Sequence, residues 1–559
     1  MANNMVKSIF LGTSLCVLTA TASFAQGLAG PYLAATRANF NSDFEEAARY
    51  YTAAMAVDTQ NIYLKQNALV SFIAAGDFDV AVPIAQALHA ADVENIFANL
   101  VIMVDLIDKG DLIAAQDFLP QDSARLSPLL QQLIHGWVKI GAGQLEAGLA
   151  GFDGMSENDT IALYGQYHKA LALADNGDFA DAADILDGDD GPLHINRDSI
   201  FLHVALLGEL DRKDAALNVL DTAALRGFKD AELTALRDDI AAGSPRKYTN
   251  IDAPAYGISE AFLTMAVALS RDEPSRLALF YARLAQHLNA SSVDAALTVA
   301  DILEREEQFA LAIAAYKSVP RTSLSYNSAQ IGRAEAERRT GQVDVATNTL
   351  LALADAFPQD VNTLNALGDI YRGADNFADA VIAYTRAVDA IEEPSSGHWV
   401  LFYTRGISYE RLDNWPAAET DLKRALALSP NQPLVLNYLG YSYIEMGINM
   451  IEAQSMIETA VAGRPNSGYI TDSLAWVLYR LGKFKEAVPH MERAAELLPV
   501  DPVINDHLGD ILWMVGRKLE AKFQWRRAMS FDPEEKDLIR IKRKLELGLD
   551  VVLSEESDL

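Results

Sequence analysis

The chain has 559 residues, 50% of them hydrophobic, and a formal net charge of −31. A surface with this much negative charge repels phosphate backbones, so the composition argues against nucleic-acid binding. The single cysteine, Cys16, excludes a disulfide framework, and the histidines are scattered singly. We therefore expect no metal centre and no cofactor.

Residues 1–25 have the features of a secretory signal peptide. Lys7 supplies a positive start, residues 9–22 are apolar and uncharged, and residues 23–25 (SFA) fit a cleavage site. The apolar run is shorter than the ~20 residues that span a bilayer. A leucine precedes Cys16, which argues against a lipid anchor there. The sequence predicts an exported, periplasmic protein with no transmembrane span in its mature chain, and leaves peripheral membrane association open.

Small residues recur with a period near 34 through residues 26–242. The alanines that carry this spacing are Ala47, Ala81, Ala115, Ala147, Ala182 and Ala216. Gly-Asp-apolar triplets begin at Gly76, Gly110 and Gly177 and are typical of a turn between two helices. This part of the chain is predicted to contain degenerate helical repeats.

The spacing breaks at residues 243–258, where prolines, glycines and serines replace the helical pattern. We interpret this stretch as a hinge or boundary between two halves. A continuous array of hairpins with one long loop is the alternative.

The spacing returns over residues 259–535 and is sharpest at its end. The alanines of this part are Ala278, Ala312, Ala346, Ala380, Ala418, Ala453, Ala487 and Ala521. In the last three repeats a second alanine follows seven residues later and a proline five residues after that. Close helix crossings require such small side chains, and a proline ends the second helix of each pair. We therefore predict well-formed helical hairpins here.

The end of the chain is predicted to close the array. Residues 536–547 form a helix with one apolar face, suited to covering the last hairpin. Its basic side chains, Arg540 and Lys544 among them, are read as solvated, with docking of an acidic partner as the alternative. Residues 548–559 are predicted to be a disordered acidic tail.

The 34-residue period, the paired small residues and the terminal prolines resemble the tetratricopeptide repeat family. The runs at 437–445 (NYLGYSYIE) and 501–528 look like the C-terminal repeats of exported proteobacterial members. The resemblance implies an all-α, right-handed superhelix (solenoid) of about 12–14 hairpins, in one body or two halves. It also implies an envelope adaptor, since some relatives recruit a processing protease to cell-wall hydrolases. Tyr403 and Ile407 replace the Lys and Asn of the family's carboxylate clamp, which argues against that binding mode.

In such a superhelix the first helix of each hairpin lines a long concave groove. Positions on the face opposite the buried stripe are the candidate protein-binding residues. They are Asn365, Asp369, Tyr403, Asn437, Tyr441, Tyr469, Asp472, Trp476, Tyr479, Asp506, Asp510 and Trp513. Trp476 and Trp513 have the alternative of lying in the core between repeats.

No nucleophile elbow, phosphate loop or zinc motif is present, so we predict no enzyme activity. The predicted function is a cell-envelope scaffold that binds a partner protein or peptide in its groove and recruits a protease or cell-wall enzyme. One alternative is a structural subunit of an envelope assembly or export complex. Another is an enzyme with its site hidden in the first half, which a deep pocket of converging polar groups would favour.

Overall fold

The computed structural model describes residues 27–118, 126–153, 159–188, 195–228, 231–249, 253–271 and 275–557. Within these ranges the chain forms 31 α-helices, two short 3-10 helices and no strand. The all-α prediction is confirmed. The predicted signal peptide, with Cys16, lies outside the described residues.

The chain divides into two compact units, between Ala329 and Gln330. Helices of the first unit are α1 (Ala29–Phe40), α2 (Phe44–Val57), α3 (Ile62–Ala75), α4 (Phe78–Ala90), α5 (Ile96–Asp108), α6 (Leu112–Ala115), α7 (Pro128–Gly141), α8 (Leu145–Asp153), α9 (Asp159–Asn176), α10 (Phe179–Asp187), α11 (Arg197–Glu209), α12 (Lys213–Leu225), α13 (Ala231–Ala241), α14 (Ala253–Leu269), α15 (Arg276–Leu288), α16 (Val293–Arg305) and α17 (Phe309–Lys317). The division falls within α18 (Tyr326–Arg339).

The second unit continues with regular pairs of helices. They are α19 (Val343–Ala356), α20 (Val361–Gly373), α21 (Phe377–Asp389), α22 (Trp399–Glu410), α23 (Trp415–Leu428), α24 (Pro433–Glu445), α25 (Met450–Gly463), α26 (Gly468–Arg480), α27 (Phe484–Leu497), α28 (Pro502–Met514), α29 (Lys518–Ser530), α30 (Glu535–Leu547) and α31 (Leu549–Ser557). From α20 onward each even-numbered helix packs on the next, and these hairpins stack in chain order.

The hairpins form because the sequence stops each helix at a defined residue. Gly76 ends α3 with φ of 96°, a left-handed conformation that residues with a Cβ adopt reluctantly. At a helix start, the Asp501 carboxylate accepts the backbone N–H of Ile504 at 2.9 Å, which caps α28. Small residues then allow close crossing, since a Cβ on Gly509 would lie 2.3 Å from Nε1 of Trp525.

The small-residue spacing marks buried crossings, with one correction. Nearly all of the predicted alanines are buried, for example Ala81 and Ala487. Ala147 is exposed instead, and the buried small residue of α8 is the next one, Gly148. A Cβ on Gly148 would lie 2.4 Å from Ile140 of α7. The repeat therefore holds in the first unit, but one residue later at α8 than predicted.

In the first unit, the face that the first helices of the hairpins would offer to a partner is covered by the chain itself. The hairpin of α14 and α15 packs across α3, α5, α7 and α9, the first helices of four consecutive hairpins. Phe280 of α15 meets Phe97 of α5 edge-on, with ring centroids 4.9 Å apart. Gly257 of α14 lies against the Trp137 ring of α7. The expectation of one long open groove is therefore wrong for this unit.

As far as it is described, the stretch at 243–258 is irregular only over residues 243–249, because α14 begins at Ala253, and the division of the chain lies elsewhere. Its residues are tied to α11: Lys247 Nζ donates to the carbonyl of Gly208 at 2.8 Å, and the Tyr248 N–H donates to Glu209 at 3.0 Å. Helix α14, which follows, belongs to the same unit as α11. The predicted hinge is thus a bonded internal connection of the first unit.

Candidate functional site

The twelve predicted groove residues lie on the first helices of the second unit, α20, α22, α24, α26 and α28, and they fall into two groups. The first, which we call the closed group, is buried: Asp472, Trp476, Tyr479, Asp506, Asp510 and Trp513. The second, the open group, is partly or largely exposed: Asn365, Asp369, Tyr403, Asn437, Tyr441 and Tyr469. For the closed group, the expectation of side chains available to a partner is corrected by this burial.

Helix α30 accounts for much of the burial of the closed group. Lys544 is fully buried, and its Nζ lies 2.7–2.8 Å from both carboxylate oxygens of Asp506 and of Asp510. Arg540 approaches Asp510 at 3.3 Å, and Trp525 Nε1 donates to Asp510 at 2.8 Å. A buried charge requires such partners, because removal from water costs several kcal/mol per ion. Lys544 was predicted to be solvated and is instead a core residue.

Trp476 is part of an aromatic stack inside the second unit. Its ring lies 4.7 Å from that of Tyr479 and 3.9 Å from that of His507, both nearly parallel to it. Its Nε1 donates to Glu445 of α24 at 2.9 Å. His507 Nδ1 in turn lies 2.9 Å from Asp472. Both tryptophans of the predicted site, Trp476 and Trp513, belong to the same core cluster, which favours the core alternative for them.

The electrostatics of the closed group follow from this packing. Burial raises the pKa of Asp506, and the neighbouring carboxylate of Asp510 raises it further, while Lys544 acts in the opposite direction. Burial disfavours the charged form of His507, but the negative charge of Asp472 and its neighbours outweighs burial and raises the pKa of the imidazole. The carboxylates of this group are therefore paired with His507, Arg540 and Lys544 rather than facing solvent.

Helix α31 also covers part of the closed group. Residues 549–557 form α31 rather than a disordered tail, which corrects the sequence prediction. Trp513 Nε1 donates to Asp550 at 2.9 Å, and Arg540 Nε donates to Glu556 at 2.7 Å. Tertiary contacts with α28 and α30 thus order a segment whose composition alone is typical of disorder.

The open group keeps polar atoms free for bonding. The amide oxygens of Asn365 and Asn437 are both buried and have no hydrogen-bond partner. Asn365 uses its amide nitrogen to donate to Asp369 at 3.0 Å, and Asp369 also accepts from the Tyr384 hydroxyl at 2.7 Å. Each oxygen lacks a donor within the chain, and it can accept a backbone N–H of an extended peptide once its side chain turns outward.

Aromatic rings lie beside these amides. Tyr403 meets Tyr438 edge-on at 5.9 Å, and the Tyr438 hydroxyl donates to Glu410 at 2.9 Å. Burial raises the pKa of Tyr441, with the charge of Glu445 adding to the effect, so its hydroxyl stays a neutral donor. Tyr469 is 61% exposed. Together these side chains supply apolar contact area next to free acceptors.

Sequence reasoning missed Tyr438, Glu445, His507, Arg540 and Lys544. A signal for two of them exists in the repeat itself. Arg540 and Lys544 stand 34 residues after Asp506 and Asp510, at the same positions of the next repeat. Opposite charges at equivalent positions of adjacent repeats face each other, so this offset predicts the ion pairs.

A separate cleft of about 460 Å³ lies within the first unit. Glu260 of α14 is buried there, and its carboxyl group is hydrogen-bonded to that of Asp198 on α11. Arg197 pairs with Glu232 and, at 3.5 Å, with Asp294. Burial and the charge of Asp294 raise the pKa of Asp198 to about 6, against the hydrogen bond from Glu260, and burial together with Asp198 raises the pKa of Glu260 well above its ordinary value. The polar groups of the cleft therefore bond largely to one another.

This carboxyl pair predicts an unusual pH dependence of stability. Both groups hold protons in the folded chain at pH values where the unfolded chain has lost them, so their contribution to stability falls as pH rises above about 4 and through about 6. Replacing Glu260 by Gln keeps a donor to Asp198 without the titration. We expect the Tm of this variant, relative to wild type, to rise between about pH 5 and about pH 8. Each kcal/mol that the variant gains in free energy of unfolding should raise the Tm by ~2–4 °C.

Thermal unfolding followed by circular dichroism across this pH range checks the prediction. The exposed Asp211→Asn provides the matched control and should leave the difference from wild type independent of pH. A Glu260→Gln variant whose Tm tracks wild type at every pH would show that the titration of Glu260 does not control the stability of this unit.

Comparison with known proteins identifies the repeats. Residues 331–393 and residues 469–498 each match a family model described as tetratricopeptide repeat. The chain carries tetratricopeptide repeats. The two matches include α20 and most of α26, which hold Asn365, Asp369 and part of the closed group. Tetratricopeptide repeats generally present binding surfaces to other proteins.

Curated relatives match parts of the chain. A TPR repeat-containing protein of Pseudomonas aeruginosa is 32% identical over 110 residues, 20% of this chain and 18% of the relative. Bacteriophage adsorption protein A of Escherichia coli K12 is 30% identical over 134 residues, 24% of this chain and 12% of that protein. The chain thus spans less than a fifth of the length of these relatives. The solved structure of the APC/C hetero-tetramer Cut9-Hcn1 is 13% identical, with 93% of this chain and 96% of that one covered and a TM-score of 0.40.

Among the residues that the structure describes, no group of three or more His, Cys, Asp or Glu side chains is placed to hold a metal ion. In the same ranges, none of the helices combines the length and the apolar character required to cross a membrane.

Proposed function

We propose that the chain is a protein-binding scaffold of the cell envelope, and that the open group of its second unit binds an extended segment of a partner protein. The observation that carries the proposal is the pair of unpartnered amide oxygens of Asn365 on α20 and Asn437 on α24, two first helices separated by α22, which carries the half-buried Tyr403. An unpaired buried acceptor costs free energy, which a backbone N–H of a bound peptide would recover.

The envelope location rests on the predicted signal peptide at residues 1–25. Recruitment of a protease or cell-wall enzyme rests on the family resemblance alone. The adducts of the photocrosslinking experiment below would identify the partner. A peripheral place at the membrane is compatible with the same proposal.

Site-specific photocrosslinking tests the binding face. A benzophenone amino acid at Tyr403 or Tyr441 should give discrete adducts in envelope fractions. The same probe at Phe523, which is 59% exposed on α29, provides the control and should give none of those adducts. Equal adduct patterns from α29 and from the open group would argue against a specific face.

The free amides give a second, sharper prediction. The double variant Asn365→Ala and Asn437→Ala should weaken partner binding by about fivefold to thirtyfold per side chain, since each removes one hydrogen bond. Because the Asn437 oxygen is unpaired in the free chain, Asn437→Ala alone should keep the Tm within ~1 °C of wild type, whereas Asn365→Ala also loses its bond to Asp369 and should lower the Tm by ~2–4 °C. Titration of the captured partner measures the affinity, and a parallel loss of Tm and affinity in Asn437→Ala would assign that residue to the core instead.

A structural subunit of an envelope assembly is the second candidate. The covered first-helix face of the first unit favours it, because that unit is a filled body rather than a recruiting groove. A stable stoichiometric complex that survives purification would support this role, whereas a salt-sensitive, exchangeable partner supports the scaffold.

A further inference from the structure

Helix α31 rests on a surface of the second unit formed by α28, α29 and α30. Leu549 and Val552 are buried against this surface, and Leu553 packs on the same core cluster. The chain reverses direction at Gly548, whose φ of 91° favours glycine, and a Cβ there would lie 2.7 Å from the Trp513 ring. The helix is therefore held by a few apolar side chains after a tight turn.

The charges of the two sides are complementary. We call Trp513, Lys518, Arg540 and Arg543 the basic face. Glu555 of α31 pairs with Arg543, and Glu556 pairs with Arg540.

Asp550, near the start of α31, occupies the other end of the basic face. Its carboxylate lies 3.5 Å from Lys518 Nζ and accepts the Trp513 indole N–H. All three acidic side chains of α31 named here therefore meet a donor on that face.

The attachment of α31 has the properties of an exchangeable contact. The helix has nine residues, and isolated helices of that length are marginal in water. Its ion pairs with Arg543 and Lys518 are half-exposed, and exposed pairs contribute little to stability. A longer helix with the same pattern would make the same contacts and additional ones.

We propose that the basic face is a docking surface for an acidic amphipathic helix of a partner protein, and that α31 occupies this surface when the partner is absent. The occupant carries apolar side chains where Leu549, Val552 and Leu553 lie and carboxylates where Asp550, Glu555 and Glu556 lie. The proposal rests on the proposed function only in treating the chain as a protein-binding scaffold. It concerns a surface other than the open group.

A labelled peptide of residues 549–559 serves as the probe, measured by fluorescence anisotropy against the full chain and against a chain ended after Gly548. The truncated chain should bind the peptide at least about tenfold more tightly than the full chain. In the truncated chain, Arg543→Glu should lower the affinity about tenfold, because a like charge then faces Glu555. The exposed Lys542→Glu provides the matched control and should lower it much less.

A full-length variant avoids dependence on truncation. Glu555→Arg with Glu556→Arg should release α31 and allow the peptide to bind, and adding Arg543→Glu should restore the closed state. Failure of both the truncated and the charge-reversed chains to bind the peptide, with their helical circular dichroism intact, would overturn the proposal. So would a concentration-dependent dimer of the full chain that truncation abolishes, which would make the occupant a second copy. Crosslinks at Tyr441 test the open group independently of either result.

Discussion

Replacing Lys544 by Met should lower the free energy of unfolding of the second unit by about 3–5 kcal/mol. The Lys544 ammonium contacts all four carboxylate oxygens of Asp506 and Asp510 and has no exposed surface. Removing it leaves two buried negative charges side by side with only Arg540 nearby. Arg540 is partly exposed and cannot replace four short contacts.

Urea unfolding followed by tryptophan fluorescence measures this effect well, because five of the six tryptophans lie in the second unit. Lys542→Met provides the matched control, since Lys542 lies on the exposed side of the same helix. The destabilisation should shrink on acidification towards about pH 4, as the orphaned carboxylates take up protons. Adding Asp506→Asn should recover part of the loss. A Lys544→Met variant within ~1 kcal/mol of wild type would contradict the buried network.

Replacing Trp137 by Ala should destabilise the first unit by about 3–5 kcal/mol. Trp137 is fully buried on α7 between Phe152, His168 and Gly257 of α14. Its Nε1 donates to His168 Nδ1 at 2.9 Å, and burial lowers the pKa of that imidazole to about 3, so it remains a neutral acceptor. The variant loses the ring volume and leaves an unpaired buried nitrogen.

The matched test is made from the other side of the same contact. A Cβ on Gly257 would lie 2.0 Å from the Trp137 ring, so Gly257→Ala should cost about 1–3 kcal/mol by overpacking. In the double variant the added methyl group enters the cavity, and the two losses should be less than additive. Thermal unfolding by circular dichroism, with hydrogen exchange of α7 and α14, measures both. A Gly257→Ala variant with an unchanged free energy of unfolding would show that α14 does not pack closely on α7.

The hairpins could be predicted from the sequence because their signal is local. Ala487 and Ala521 stand at crossings where only a small side chain fits, and this requirement repeats every 34 residues. The packing of the α14–α15 hairpin on α3, α5, α7 and α9 could not be predicted in this way. Apolar residues such as Phe280 show that a face is buried, but the spacing does not say against which earlier helix.

The candidate site was predicted in part for a related reason. Helical periodicity places Asn437 and Trp476 on the same kind of face, and it contains no information on what covers that face. The rings of Tyr479 and His507 pack on Trp476, and α30 covers Asp506 and Asp510 of the closed group. No residue in the described part of the chain donates a hydrogen bond to the Asn437 amide oxygen. The acidic composition of residues 549–557 predicted disorder. The arginines that pair with this segment, Arg540 and Arg543, lie on α30, so composition alone does not reveal the contact.

The contact between Lys544 and the two aspartates also orders events during biosynthesis. Asp506 and Asp510 leave the ribosome well before the ammonium that neutralises them. Until then α28 carries adjacent carboxylates that water must solvate, so its hairpin cannot finish closing. The last turn of α30 therefore supplies the charge on which closure of the α28 hairpin depends, and a chain shortened before Lys544 would keep that hairpin open with its apolar surface exposed.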